Sequence, residues 1–317
     1  MNEQTANQAI PQSLAHVIGQ RRAVQQIQTA LDAYFNDRLD GVFKAFPHTL
    51  LTGPPGVGKT LLASLINAEL GNDANHFHEE LAVNLKTPPH VQGLLLLADE
   101  GDVVFVDEVH ELKPQTTLYR CLEDGKLMLG GEHRTLMLPP FTFVGATTHE
   151  FMLQKPLRDR FRIIVRLEHY QDDEIIQIVM ERAQRLGWKV ADGAVHAIAI
   201  RGRQTPRIAI RLLEAARRTA RAKADSAITE EHVIEMCKLE GIDHAGLDSL
   251  ERRYLQILKE AQGPLRLNMI AIRLALPRQT LERVVEPELI RMGFVTKCEQ
   301  GRLLTGAGRR HLLETKS

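Results

Sequence analysis

The 317-residue sequence is short of cysteine, of aromatic residues and of net charge. Its three cysteines, Cys121, Cys237 and Cys298, are far apart and make no CxxC pair. That spacing excludes a disulfide framework and suits a reducing, cytoplasmic setting. Aromatic residues make up only 5% of the chain, which fits a helix-rich α/β protein better than an all-β one. Lysine plus arginine and aspartate plus glutamate both number 40, so the chain as a whole makes no electrostatic case for a nucleic-acid partner. No apolar run approaches the roughly 20 residues that a membrane span needs. The opening MNEQTANQAIPQS has neither a basic n-region nor an apolar h-region, so no secretory signal is expected. Residues 1–12 read instead as a mobile polar leader. HExxH, GxSxG and Cys/His sets at zinc spacing are missing too, and the 13 histidines are scattered.

What is present is ordinary in bulk and uneven in detail. Hydrophobic residues are 44% and charged residues 25%, enough for two or three domains with buried cores. Residues 247–317 hold 13 basic against 8 acidic residues, a net of +5, so the remaining chain carries the compensating negative charge. A nucleic-acid footprint, if there is one, sits at the C-terminal end.

Three regions separate by pattern. Over 13–165, short apolar runs at 49–52, 103–106 and 141–144 alternate with helical stretches. Strands covered on both faces read this way, so a parallel sheet with helices is expected. Residues 60–70 form one of the helices, stopped by Gly71. Over 166–243 there is almost no strand signal. Helices are expected at 172–186, 207–224 and 229–239, giving a small helical lid domain. Over 244–317, helices at 247–261, 267–276 and 278–292 precede two short strands, 294–296 and 302–305, around a polar turn. That order is a winged helix, with Pro287 expected to kink or shorten its third helix.

The chemistry concentrates at strand ends. Gly53, Pro54, Pro55, Gly56, Val57, Gly58, Lys59 and Thr60 fit GxxxxGK[ST], placed after an apolar strand and before an amphipathic helix. Glycines let backbone N–H groups turn inward around phosphate oxygens, and the helix N-terminus adds positive potential. Lys59 is then expected to reach the β- and γ-phosphates of ATP, with the Thr60 hydroxyl on Mg²⁺. The run at 103–106 ends in Asp107 and Glu108. Two carboxylates at the end of a buried strand are costly unless a metal–phosphate site uses them. Asp107 is expected to hold Mg²⁺ through water and Glu108 to polarise the attacking water. Thr148, at the tip of a neighbouring strand, is a candidate for contacting the γ-phosphate or that water. Arg158 and Arg160 flank Asp159. An arginine here could be offered to a neighbouring subunit's γ-phosphate or could simply cap a helix end with the acid. Residues 201–223 carry eight basic residues and one acid, Glu214; most of this run reads as a solvated helix face, but Thr205-Pro206 opens a helix with Arg207 at its N-terminus. Arg278, Arg283 and Arg291 on the third C-terminal helix, with Lys297 and Arg302 beside the turn, could grip DNA phosphates or face a protein. His76 and His78 fall in a polar loop.

Taken together, these stretches resemble the RuvB family of bacterial Holliday-junction branch-migration ATPases. The resemblance runs from about Leu14 to Leu312. It includes Val17-Ile18-Gly19-Gln20, GPPGVGKT, GDVVFVDEVH, LPPFTFVGATT, PLRDRF, LEHYQ, TPRIAIRLL, VEPELIRMGFV and GRLLT. It implies an AAA+ P-loop domain, a helical lid and a C-terminal winged helix, working as a hexameric ring on duplex or junction DNA. It further implies that Thr148 is the first sensor and Arg160 the arginine offered in trans. Arg207 would be a second sensor touching the γ-phosphate in cis. Ile18, Tyr170 and Pro206 would pack around adenine, and Arg302 would contact DNA. The chain departs from the family pattern in several places. The stretch 33–47 is longer. The hairpin between Asp124 and Phe141 is shorter, with Gly130-Gly131-Glu132 at its tip, which weighs against docking on a RuvA partner. His149 stands where the family has arginine, and Gln300 removes one phosphate contact from the wing. The reading is an ATP-driven DNA motor. A nucleotide-switched DNA-binding scaffold and a protein-remodelling AAA+ ATPase are the alternatives.

Overall fold

The computed structural model describes residues 10–71, 76–129 and 134–314. Residues 1–9 of the expected leader and the hairpin tip Gly130-Gly131-Glu132 lie outside the described residues. The chain forms two compact units. One comprises Met1–Ile178 with Gln204–Arg207; the other comprises Val179–Arg203 with Ile208–Ser317.

In the first unit, α1 (Arg21–Leu39) leads to β1 (Thr49–Thr52) and α2 (Lys59–Glu69). Then come β2 (Phe77–Leu81), α3 (Pro88–Leu95), β3 (Val103–Asp107), α4 (Thr117–Asp124), the hairpin of β4 (Lys126–Leu129) and β5 (Arg134–Met137), β6 (Thr142–Thr147), α5 (Lys155–Arg158) and β7 (Ile163–Arg166). Five strands pair in parallel in the order β2-β3-β6-β1-β7. The central strands β1 and β6 are buried along their whole length and β3 up to its final aspartate, as expected for apolar runs with both faces covered. Because the strands run the same way, the residues that follow β1, β3 and β6 emerge at one edge of the sheet, where open α/β sheets gather their ligand sites. Thr52 lies opposite Thr147 in the register, and Leu81 opposite Asp107.

The outer strand β2 corrects the reading of a polar loop around His76 and His78. His78 lies on β2, and both imidazoles clamp the buried Asp102 at the foot of β3: His76 Nδ1 is 2.6 Å and His78 Nε2 2.7 Å from its carboxylate. Although burial pushes the Asp102 carboxyl up, the Asp99 amide and the two histidines outweigh it and hold the group below its ordinary range.

The chain passes from the first unit to the second within α6 (Asp172–Arg185). There follow β8 (Lys189–Val190), α7 (Asp192–Arg201), α8 (Pro206–Ala222), β9 (Ala227–Ile228) and α9 (Glu230–Glu240). The region with almost no strand signal holds one minimal parallel pair, β8 with β9. Helix α7, also unread, has apolar and alanine residues on most of its circumference and shows little amphipathic contrast.

The C-terminal region runs α10 (Ser249–Ala261), α11 (Leu267–Leu274), α12 (Arg278–Thr280), a π-helical turn (Leu281–Val285), α13 (Glu286–Arg291), β10 (Val295–Cys298), β11 (Gly301–Leu304) and α14 (Gly306–Glu314). Its core gathers Leu247, Tyr254, Leu258, Ile270, Leu281, Leu289, Val295 and Leu312. The expected third helix is thus one rod with a π turn just before Pro287. Proline cannot donate to the carbonyl four residues back, and a wider turn is one way to absorb that missing bond. A further helix, α14, closes the wing and was not anticipated. Among the described residues, no helix is long and apolar enough to cross a membrane.

Candidate functional site

The loop after β1 is built by three glycines with left-handed φ: Gly53 at 149°, Gly56 at 79° and Gly58 at 105°. At Gly53 a side chain is also sterically barred, since a Cβ would come 2.4 Å from the Leu167 carbonyl oxygen. The loop hands over to α2 with Gly58 as its N-cap, so free N–H groups and a helix N-terminus face the same concavity. Lys59 is buried, and its Nζ donates to the carbonyls of Gly53 at 2.8 Å and Pro54 at 2.9 Å. Burial drives its pKa below the ordinary lysine value; Glu108 and Asp107 oppose that shift and Arg207 adds to it. All three side chains therefore act on one ammonium.

Two of the other expected residues, Tyr170 and Arg207, touch the loop. Tyr170 is buried and its hydroxyl donates to the Val57 carbonyl at 3.2 Å, burial raising its pKa to about 12. The Arg207 amide donates to the Gly56 carbonyl at 3.4 Å, and a Cβ on Gly56 would meet the Arg207 Cβ at 2.9 Å. Arg207 itself is exposed beside the loop, and Ile18 and Pro206 are half-buried.

At the neighbouring strand ends, Asp107 Oδ1 accepts the Glu108 amide at 2.9 Å. Glu108 has φ of 50°, a left-handed value that non-glycine residues adopt at a cost, often at working sites. This bend turns its carboxylate toward β6. There Thr148 donates to it from both hydroxyl and amide, at 2.9 Å and 3.1 Å to Oε2. Thr148, the candidate for contacting the γ-phosphate or the water, thus holds the Glu108 carboxylate. Hydroxyl and carboxylate are hard oxygen donors, so Thr60 and Asp107 fit the chemistry of Mg²⁺.

Two histidines beside Glu108 were missed. His110 Nδ1 lies 3.1 Å from Glu108 Oε2 and 2.9 Å from Thr147 Oγ1; His149 Nδ1 lies 2.8 Å from Thr148 Oγ1. Burial lowers the His110 pKa, with Glu108 opposing. Each histidine is within two residues of a motif residue, so the signal was adjacency, but only the fold shows that the rings converge.

The two remaining expectations behave differently. Arg160 Nε donates to the Tyr119 carbonyl at 2.7 Å and Nη1 to the Pro156 carbonyl at 2.5 Å, while Nη2 pairs with Glu123. Its guanidinium lies 4.9 Å from the Tyr119 ring centroid. Within the second unit, Lys297 and Arg278 are exposed, but Arg302 is not presented to solvent. Its guanidinium is 15% exposed and donates to the fully buried Glu286 at 2.8 Å and 3.1 Å, with the Tyr254 hydroxyl on the same carboxylate at 2.6 Å. A carboxylate that far inside the core requires a cation and takes the nearest one, so the arginine expected to contact DNA is also the partner of Glu286.

Comparison with known proteins fits this arrangement end to end. Residues 9–167 match the Holliday junction DNA helicase RuvB P-loop domain, residues 170–243 the RuvB AAA lid domain, and residues 244–313 the RuvB C-terminal winged helix domain. The chain belongs to the RuvB family. It is 40% identical over 314 residues to the Holliday junction branch migration complex subunit RuvB of Synechococcus sp. (strain RCC307), covering 95% of this chain and 88% of that protein. The RuvB of Prochlorococcus marinus (strain MIT 9313) is 41% identical over 313 residues, with coverage of 95% and 87%. The solved structure of Thermotoga maritima RuvB, described as a Holliday junction branch migration motor, superposes with a TM-score of 0.81 at 34% identity, covering 96% and 98% of the two chains. This RuvB-family chain is accordingly a P-loop ATPase of the AAA+ class, with the α/β, lid and winged-helix composition that its sequence implies.

Proposed function

We propose that the protein is an ATP-driven DNA motor that moves duplex or junction DNA by hydrolysing ATP between subunits of a hexameric ring. The observation that carries this reading is the single sheet edge where the Lys59 loop, Asp107, Glu108 and Thr148 meet, in a chain related to RuvB proteins over nearly its full length. Gly53 to Thr60 cradle the phosphates, and Ile18, Tyr170 and Pro206 border the base. Thr60 and, through water, Asp107 would hold Mg²⁺, which would supply positive charge to the phosphates. Glu108 orients the water, which attacks the γ-phosphorus and releases ADP and phosphate. Arg207 contacts the γ-phosphate in cis, and Arg160 from the adjacent subunit completes the site once released from Glu123.

Segments 13–165, 166–243 and 244–317 serve as ATPase, lid and DNA-binding parts. On the winged helix, the exposed cations Arg278, Arg283 and Lys297 are the phosphate contacts; Arg302 supports the wing from within. The short β4–β5 hairpin still exposes Met128, Leu136 and Met137, so a protein partner can bind there, but its reduced reach speaks against RuvA.

The test is the ATPase rate with duplex, single-stranded and four-way-junction DNA, with Glu108→Gln as control. Stimulation by duplex or junction DNA, abolished in Glu108→Gln, is expected. Turnover indifferent to every DNA would favour a protein remodeller instead.

A further inference from the structure

Beside the nucleotide loop, one carboxylate and two imidazoles converge. The ligand atoms of Glu108, His110 and His149 lie within 4.8 Å of one another. We propose that these three side chains form a binding site for a transition-metal dication of the zinc class, and that its occupation withdraws Glu108 from the water. The second half of this inference rests on the role proposed for Glu108; the site itself does not.

The donor set decides the class of ion. Imidazole nitrogens prefer Zn²⁺, Ni²⁺, Co²⁺ or Cu²⁺ to Mg²⁺, which takes hard oxygens such as those of Thr60 and Asp107. The geometry is close to ready. Glu108 Oε2 and His110 Nδ1 are 3.1 Å apart. Two donors about 2.0–2.1 Å from a tetrahedral ion are separated by roughly 3.3 Å. The left-handed Glu108 and the 3₁₀ turn Val109–Glu111 fold His110 back over its neighbour. The end of β6 brings His149 to the same place from the other strand. The two rings are 4.9 Å apart between centroids and inclined at 53°, so they converge rather than stack.

The surroundings support the donors. Glu111 Oε1 lies 3.5 Å from His110 Nε2, on the ring edge away from the proposed ion. A carboxylate behind a ligating histidine fixes its orientation and raises its basicity. His149 is exposed, so its ring has room to close the remaining gap and water can fill an open coordination position. Thr148 Oγ1 now bridges His149 Nδ1 and Glu108 Oε2, at 2.8 Å and 2.9 Å. An ion would replace both contacts, taking the carboxylate oxygen and, once it gives up its proton, the His149 nitrogen. With the carboxylate on the metal, its negative charge is drawn to the ion and polarises the water less.

The test uses the full-length protein, stripped with chelator and titrated with Co²⁺ alone. A visible d–d absorption band that saturates at one equivalent and is displaced by Zn²⁺ is expected. His149→Ala and His149→Arg, both at an exposed position, should weaken Co²⁺ binding at least tenfold. Stoichiometric Zn²⁺ should slow Mg-ATP hydrolysis of the unaltered protein at least tenfold and leave the two variants' own rates nearly unchanged. No band, or a band identical in the variants, overturns the site. Zn²⁺ bound without slowing hydrolysis overturns its effect on Glu108. The role of Glu108 is judged separately, from Glu108→Gln turnover without added Zn²⁺.

Discussion

Thr148 and Glu108 are joined across adjacent strands: the threonine hydroxyl donates to the glutamate Oε2 at 2.9 Å and the threonine amide to the same oxygen at 3.1 Å. With His110 Nδ1 3.1 Å away on its other side, the bond fixes a side chain that leaves its strand with a left-handed backbone. Thr148→Val keeps the amide donor and loses the hydroxyl. A hydrogen bond to a charged group contributes roughly 1.5–3 kcal/mol, so kcat is expected to fall on the order of 10- to 100-fold. KM for ATP should change little, because nothing that touches the phosphate loop is removed. Steady-state kinetics in both parameters checks this.

Arg160 is held in its own chain by Glu123, Tyr119 and Pro156. If it acts on a neighbour's nucleotide, Arg160→Ala and Glu108→Gln are each inactive alone but complement when mixed. A mixed ring contains interfaces where an intact Glu108 faces an intact Arg160. Recovered ATPase activity in the mixture is the expected result, and activity that never exceeds either variant alone contradicts a role in trans.

The Glu286 carboxylate sits between Arg302 and Tyr254, with Lys297 Nζ 3.5 Å away. Burial raises its pKa, but the bonds from Arg302 and Tyr254 outweigh that and keep it below the ordinary range. Arg302→Ala leaves the buried charge with only the exposed Lys297, and removing the closer partner of a buried pair typically costs about 3–5 kcal/mol. It should therefore lower the melting temperature clearly. Lys297→Ala should leave melting almost unchanged and instead reduce the salt slope of DNA binding by about one. Thermal scans and a salt titration of DNA affinity separate the two cations.

Asp102, clamped by His76 and His78, supplies the pH prediction. Its native pKa lies below the ordinary 3.8. A carboxyl lowered on folding adds stability that is fully present above its unfolded value and fades as pH falls through its native one. Asp102→Asn should be less stable than the unaltered protein at neutral pH, and the gap should close below about pH 4. Denaturation midpoints measured across that range give the answer.

Much of this site was legible because it obeys local rules. GPPGVGKT needs glycine wherever φ is left-handed, and the apolar runs of β1, β3 and β6 could only be buried strands. The edge strand β2 escaped because FHEEL, paired on one side only, needs few apolar residues and shows no clean alternation. Helix α7 escaped because a nearly uniform apolar surface carries no period. The ion pair of Arg302 escaped for a different reason. The arginine's charge is written in the sequence, but the partner that claims it lies 16 residues earlier, on a helix whose packing only the folded core determines. The convergence of His110 and His149 on Glu108 likewise depends on one left-handed residue and on strand neighbours β3 and β6, and neither can be read from residue spacing.

Branch migration separates a DNA motor from a nucleotide-switched scaffold. A synthetic four-way junction with labelled arms is incubated with the protein, Mg²⁺ and ATP, and the resolved duplexes are counted over time. The account predicts conversion that requires ATP, is absent with Glu108→Gln and falls when Arg278 and Lys297 are both replaced by alanine. Junctions that are bound but never moved, while ATP is hydrolysed at full rate, would contradict it.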